Sequence, residues 1–173
     1  MTYCEDIYGV GYMDILSKIK ILFLDFDGVL TDGYVYVDED GKEMVRCSRR
    51  DSLGLGMLKT AGVSVAVISK ERNPVVAERC KKLMIECFYG IDNKAIFLKS
   101  YLNRWQILPA KAAYVGDDVN NLEAMKVVGA PIAVNDAVNA IKEIALYVTE
   151  KNGGKGAVRE VCDLILKAKE RSS

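Results

Sequence analysis

Three apolar runs, each short and each ending in polar residues, limit what this chain can become: ILFLDF at 21–26, VSVAVIS at 63–69 and AAYV at 112–115. Runs of this length bounded by turn residues read as strands buried on both faces, the kind that parallel sheets contain. Helical signals lie between them. Asn73-Pro74 places a capping residue before a proline at the first helical position and opens a helix to about 83. Further helices are expected at about 93–105, 121–128 (stopped by Gly129) and 137–144. A last one follows the loop 151–156 to about 169, with Val158, Val161, Leu164 and Ile165 as its apolar stripe. Short strands are expected at 86–89, 132–134 and 147–148. Asp14 can cap a short helix to about 20, and Asp51 can cap a helix over 52–61 that Gly54 and Gly56 weaken. The stretches 34–37 and 43–46 flank Asp40-Gly41, a good hairpin turn pair.

Strands that alternate with helices through short connections give an α/β fold, a Rossmann-like doubly wound parallel sheet. One domain is expected over 1–173, with a core at about 21–169, a β-hairpin flap at 33–47 and a C-terminal segment at 150–173. Asp32 to Asp51 leaves room for the hairpin and none for a cap domain. In such sheets the functional groups sit beyond the carboxyl ends of the strands.

Composition removes several chemistries. Among 173 residues there are 24 Lys plus Arg and 24 Asp plus Glu, a net charge of zero. That balance speaks against a nucleic-acid binder and against a polybasic membrane-surface protein. No stretch approaches 18 uninterrupted apolar residues, so no membrane span is expected. The chain has no histidine, which removes the Ser-His-Asp and Cys-His hydrolases and imidazole-ligated zinc. Five cysteines without a CxxC read as free thiols in a reducing compartment, and the acidic N-terminal stretch does not resemble a signal peptide; the expected location is cytoplasmic.

The residues at the expected strand ends carry the chemistry. Asp25 and Asp27, in DFDGVLTDG, are two apart on a strand and can face one pocket. Two close carboxylates repel unless a cation joins them or one takes a proton, and oxygen-only ligation suits Mg²⁺. Ser69 can donate to a phosphate oxygen or act as a loop or capping serine. Lys94 can reach into the pocket or stay solvated. Asp117 and Asp118 can hold a cation or cap the next helix. Arg50 can meet a carboxylate or hydroxyl with its guanidinium fork, or remain solvated in the basic run 46–50. The Gly153-Gly154-Lys155-Gly156 segment can pass close to another backbone, and Arg159 follows within helical reach.

DFDGVLTDG, Ser69, Lys94 and GDDVNNLEAM, in that order, resemble the four motifs of the haloacid dehalogenase superfamily of phosphohydrolases. RDSLGL at 50–55 and GGKGAVREVCDLIL at 153–166 are similar to its capless branch that acts on 3-deoxy-manno-octulosonate 8-phosphate. SKERNPVVAERCKKL at 69–83 is similar instead to relatives of CMP-sialic acid synthetases. The resemblance implies that Asp25 is the nucleophile and that Asp27 serves as general acid, then base. It implies Mg²⁺ on the Asp25 carboxylate, the Asp27 backbone carbonyl and Asp117, with Ser69 and Lys94 on the phosphoryl oxygens and Asp118 behind the ligands. The substrate would be a small phosphorylated 2-keto-3-deoxy sugar acid of eight or nine carbons, bound through Arg50 and Arg159 as well. It further implies a homotetramer in which four hairpins form a central barrel and the C-terminal segment reaches a neighbour's site. Two non-enzymatic readings compete. A phosphoacceptor receiver domain would place its acidic pair and its phosphorylated aspartate on other strands. A regulatory module can lose catalytic residues, whereas this chain keeps every motif position.

Overall fold

The computed structural model describes residues 11–172. Residues 1–10, with Cys4 and the acidic stretch weighed against a signal peptide, lie outside the described residues. The helix α1 (Gly11–Ser17) leads into β1 (Ile21–Leu24), then β2 (Thr31–Val37), β3 (Glu43–Cys47), α2 (Arg49–Thr60), β4 (Ser64–Ile68), α3 (Val75–Leu83) and β5 (Glu86–Phe88). There follow α4 (Lys94–Arg104), β6 (Ala112–Gly116), α5 (Leu122–Met125), β7 (Ala130–Ala133), α6 (Asn139–Lys142), β8 (Tyr147–Val148) and α7 (Ala157–Ser172).

Six strands form one sheet in the order β5-β4-β1-β6-β7-β8, and every pairing in it is parallel. The chain runs out from β1 to one edge and returns to its other side, so a crevice opens at the carboxyl end of β1 where the order reverses. The buried apolar runs are these strands: β1 is buried throughout, and its Phe23 pairs in register with Tyr114 of β6, both fully buried. The helices cover the sheet, with α7 packed on α1 and α2. No helix among the described residues is long and apolar enough to cross a membrane. The four described cysteines are free.

Several boundaries move, each for a local reason. Asp14 lies inside α1 and pairs with Lys18 at 2.6 Å, so it does not cap the helix. Helix α2 starts at Arg49 because Ser48 accepts from the Arg50 N–H at 3.1 Å; Asp51, expected as the cap, is already in the first turn. The helices expected at 121–128 and 137–144 shorten to α5 and α6. A 3₁₀ turn at Val119–Asn121 takes up the start of the first.

The hairpin is a separate two-stranded antiparallel sheet of β2 and β3, turning at Gly41 with φ +77°. It stands off the body: Tyr34 is 74% exposed, Tyr36 61% and Met44 62%. No cap domain is inserted between β1 and α2.

Candidate active site

The site begins where β1 runs out. Asp25 follows its last residue and still pairs with the sheet through a 3.1 Å hydrogen bond from its N–H to the Val115 carbonyl. Its carboxylate is 3% exposed and fixed on both oxygens. The Phe26 N–H donates to Oδ1 at 2.7 Å, Asn121 Nδ2 donates to Oδ2 at 2.5 Å, and Lys94 Nζ lies 2.6 Å from Oδ2. The chain then turns sharply at Gly28, with φ +73°, a backbone that L side chains rarely adopt. Thr31 Oγ1 holds that turn by accepting from the Gly28 and Gly33 N–H groups at 3.2 and 3.1 Å.

A cleft of about 510 Å³ opens over Asp25 and is lined by Asp27, Ser69, Asp117 and Asp118 among others. Ser69, just past β4, is 1% exposed. Its N–H donates to Phe88 of β5 at 2.8 Å, and its Oγ accepts from the Glu71 N–H at 3.1 Å, so its own O–H remains available as a donor. Lys94 opens α4, whose first turn is capped by Asn93, and is 4% exposed. Its ammonium meets Asp25 as an ion pair by distance, but no acceptor among the described residues is aligned with its N–H bonds. A buried cation with unused donors beside a nucleophile-grade carboxylate suits a phosphoryl group.

Asp27 stands at the open side of the cleft and is itself exposed. The walls still strip part of its water, and Asp25 and then Glu71 add like charge; its carboxyl is pushed up to about 6. Asp117, half buried past β6, is pushed up to about 7 by burial first and then by the charges of Asp25 and Asp118. Carboxylates so arranged call for a cation. The fit is also steric: a Cβ on Gly28 would fall on the Asp117 carboxylate, so glycine there lets Asp117 come across to the Asp25–Asp27 turn. Among the described residues no three Cys, Asp or Glu side chains converge as a complete cage.

Other residues fall differently from expectation. Asp118 caps the 3₁₀ turn, its Oδ1 accepting from the Val119 N–H at 2.6 Å, and makes no ion pair with Lys94. The residue that orders the site from behind is Asn121, which the sequence reading took only as a helix start. Fully buried, it donates to Asp25 and accepts from the Asp117 N–H at 3.0 Å. Its signal was the second asparagine of GDDVNN, four residues past Asp117 on a turn. Arg50 and Arg159 do not line the Asp25 cleft; they share a separate groove of about 260 Å³. Arg159 Nε is there bound to Asp163 at 2.8 and 2.9 Å. The close backbone approach expected of the GGKG segment occurs within the chain. A Cβ on Gly153 would fall on the Gly28 carbonyl and one on Gly154 on the Thr31–Asp32 peptide, so the segment buttresses the turn after Asp25 in its own chain.

A family model for haloacid dehalogenase-like hydrolases matches residues 69–161. The 3-deoxy-D-manno-octulosonate 8-phosphate phosphatase of Escherichia coli is 41% identical over 165 residues, 93% of this chain and 88% of that protein. The chain belongs to the haloacid dehalogenase-like hydrolase family. Among solved structures, the 3-deoxy-D-manno-octulosonate 8-phosphate phosphatase of Moraxella catarrhalis, in complex with magnesium, phosphate and KDO, is 34% identical with a TM-score of 0.89 over 94% of each chain. The cobalt-bound deoxy-D-mannose-octulosonate 8-phosphate phosphatase of Haemophilus influenzae is 36% identical, with a TM-score of 0.86 over 91% of this chain and 93% of its own. The parallel sheet flanked by helices is thus the fold of a hydrolase family the sequence already resembled.

Proposed function

We propose that this hydrolase is a Mg²⁺-dependent phosphatase of a phosphorylated 2-keto-3-deoxy sugar acid, with 3-deoxy-D-manno-octulosonate 8-phosphate as its preferred substrate. The observation that carries the reading is Asp25, buried, oriented by the Phe26 N–H and Asn121 and ion-paired with Lys94, at a cleft that Ser69 also lines. An Asp25 oxygen attacks phosphorus in line and the bond to the sugar oxygen breaks, leaving an aspartyl phosphate. Asp27, whose raised carboxyl retains a proton nearer neutrality than an ordinary aspartate, gives that proton to the departing oxygen. The resulting carboxylate takes a proton from water as the water attacks the aspartyl phosphate; inorganic phosphate leaves and Asp25 is restored. Lys94 and Ser69 hold the phosphoryl oxygens through both steps. Mg²⁺ on Asp25, the Asp27 carbonyl and Asp117 would supply charge neutralisation that lets the dianionic ester approach this acidic cleft.

The eight-carbon acid is preferred because it is what the named relatives act on; the 69–83 segment keeps the nine-carbon acids as the second reading. The proposed assembly is a homotetramer: the cleft is open, and the exposed tyrosine, valine and methionine side chains of the hairpin form a surface suited to a second copy. Arg50 and Arg159, absent from the cleft of their own chain, are proposed to meet the sugar acid across that interface. One experiment tests the reading: phosphate release from eight- and nine-carbon keto-acid phosphates, with Mg²⁺ and with EDTA, on a sample sized by light scattering. Faster turnover of the eight-carbon ester, lost in EDTA and restored by Mg²⁺, is the expected result. Preference for nine carbons would replace the substrate, an active monomer would remove the assembly, and no turnover at all would leave a regulatory module.

A further inference from the structure

The hairpin contributes no lining residue to the Asp25 cleft, yet it is bonded to the loop that forms one wall of it. Glu43, the first residue of β3, accepts a hydrogen bond from Asn73 Nδ2 at 2.8 Å across thirty positions of sequence. Asn73 is itself held from both sides. Its Oδ1 accepts from the Val75 N–H at 3.0 Å at the start of α3, and its N–H donates to Glu71 Oε1 at 2.8 Å. The Glu71 carboxylate also accepts from the Arg72 N–H at 2.6 Å, while the Glu71 N–H donates to Ser69 Oγ. A continuous run of hydrogen bonds therefore links Glu43 on the hairpin to the hydroxyl of Ser69.

The end of that run matters because a hydroxyl has one proton. With Ser69 Oγ accepting from Glu71, the direction left for the Ser69 O–H is set by where the loop 69–73 holds the Glu71 peptide. A donor must be aimed within a few tenths of an ångström to stabilise a phosphoryl oxygen as charge moves. We propose that Glu43 is a positioning residue for Ser69: seated against Asn73, it fixes the loop 69–73 in the shape that aims the Ser69 O–H into the cleft. The inference rests on the reading of Ser69 as a phosphoryl ligand. It makes the seating of the hairpin, the element proposed to join four chains, directly felt at the reacting phosphate.

The test uses phenyl phosphate, an ester without the sugar acid's chain of hydroxyls and carboxylate, and the Mg²⁺-loaded enzyme. Glu43→Leu is expected to lower kcat roughly five-fold, the scale of a misaimed rather than a missing donor, with KM little changed. Glu43→Gln, whose amide oxygen still accepts from Asn73, should stay within about two-fold of wild type on the same scale. Asn73→Asp, which keeps the α3 cap and loses the donor, should reproduce the loss even if Glu43→Leu fails to fold. In a Ser69→Ala background Glu43→Leu should cost nothing further. An equal loss in both backgrounds, or Glu43→Gln falling as far as Glu43→Leu, would overturn the role. Wild-type turnover by Ser69→Ala alone would instead overturn Ser69 as a phosphoryl ligand, and the positioning role with it.

Discussion

Two buried aspartates, Asp25 and Asp51, are 3% and 1% exposed, and each sits in a string that looks like a signature of chemistry. Their surroundings separate them. Asp25 has both oxygens engaged by donors, Lys94 ion-paired beside it, and faces an open cleft that Ser69, Asp27 and Asp117 also line. Asp51 faces a sealed seam. Its Oδ1 accepts from the Arg159 N–H at 2.8 Å, at the start of α7, and its Oδ2 has no hydrogen-bond partner among the described residues. Burial pushes the Asp51 carboxyl above the ordinary range, against the pull of the Arg159 and Gly156 N–H groups. Gly54 belongs to the same seam: a Cβ there would press into Arg159 and Cys162 of α7. RDSLGL thus docks the last helix through Asp51 and Gly54. A buried carboxylate marks a catalytic site by its open face and its cations, not by burial.

That contrast can be broken at several points. Asp25→Asn should lower turnover by roughly 10³-fold or more while the melting temperature stays near wild type, since a neutral amide neither attacks phosphorus nor holds a cation well. Phosphate release and thermal melting on one sample check this, and turnover near the wild-type rate would remove the covalent mechanism. Gly153→Ala should damage both regions at once, because its Cβ meets the Gly28 carbonyl in the catalytic turn. A loss of kcat of about ten-fold or more, together with a lower melting temperature, is expected. Unchanged kcat would mean that the turn does not depend on its buttress. Asp51→Ala should leave kcat per folded molecule alone and lower the melting temperature by about 2–4 °C, the shift that loss of one helix cap of about 1 kcal/mol brings in a chain of this size. The pH response sharpens the point. The folded state holds the Asp51 proton more tightly than the unfolded chain does, so this group's contribution to stability falls as pH rises past the ordinary carboxylate range. Melting of Asp51→Asn, which keeps an oxygen acceptor, should therefore gain on wild type as pH rises above the ordinary carboxylate range; a gap that does not change with pH would contradict the raised Asp51 carboxyl.

The placement of the candidate site was legible because its residues obey a local rule. Apolar runs at 21–26, 63–69 and 112–115 had to be buried strands, so Asp25, Ser69 and Asp117 had to stand at their ends. Lys94 followed from the helix expected from about 93, which the structure caps with Asn93. What sequence did not reveal was pairing over distance. Asp51 and Ser48 are both good caps three residues apart, and only the arrival of α7, 108 positions later, takes Asp51 away from its own helix. Asn121 stood in the string only as a helix start; it bonds to the Asp117 and Asp118 N–H groups, and its bond to Asp25, 96 positions earlier, is invisible there. The GGKG segment announced a close approach but not what it approached, because a glycine pair reports space and not the identity of the neighbour.

The buttress under the catalytic turn has a consequence for how the enzyme comes into being. Gly153 and Gly154 rest on Gly28 and Thr31, and α7, which follows them, packs on α1 and α2, with Lys169 donating to the Ser17 carbonyl 152 positions away. A nascent chain emerging from the ribosome presents Asp25, Ser69 and Lys94 well before the segment from Gly153 onward exists. The turn at Gly28 therefore gains its support only once that segment has been made and has packed back on the start of the described chain. A truncated product would carry the complete set of reactive side chains around an unsupported turn.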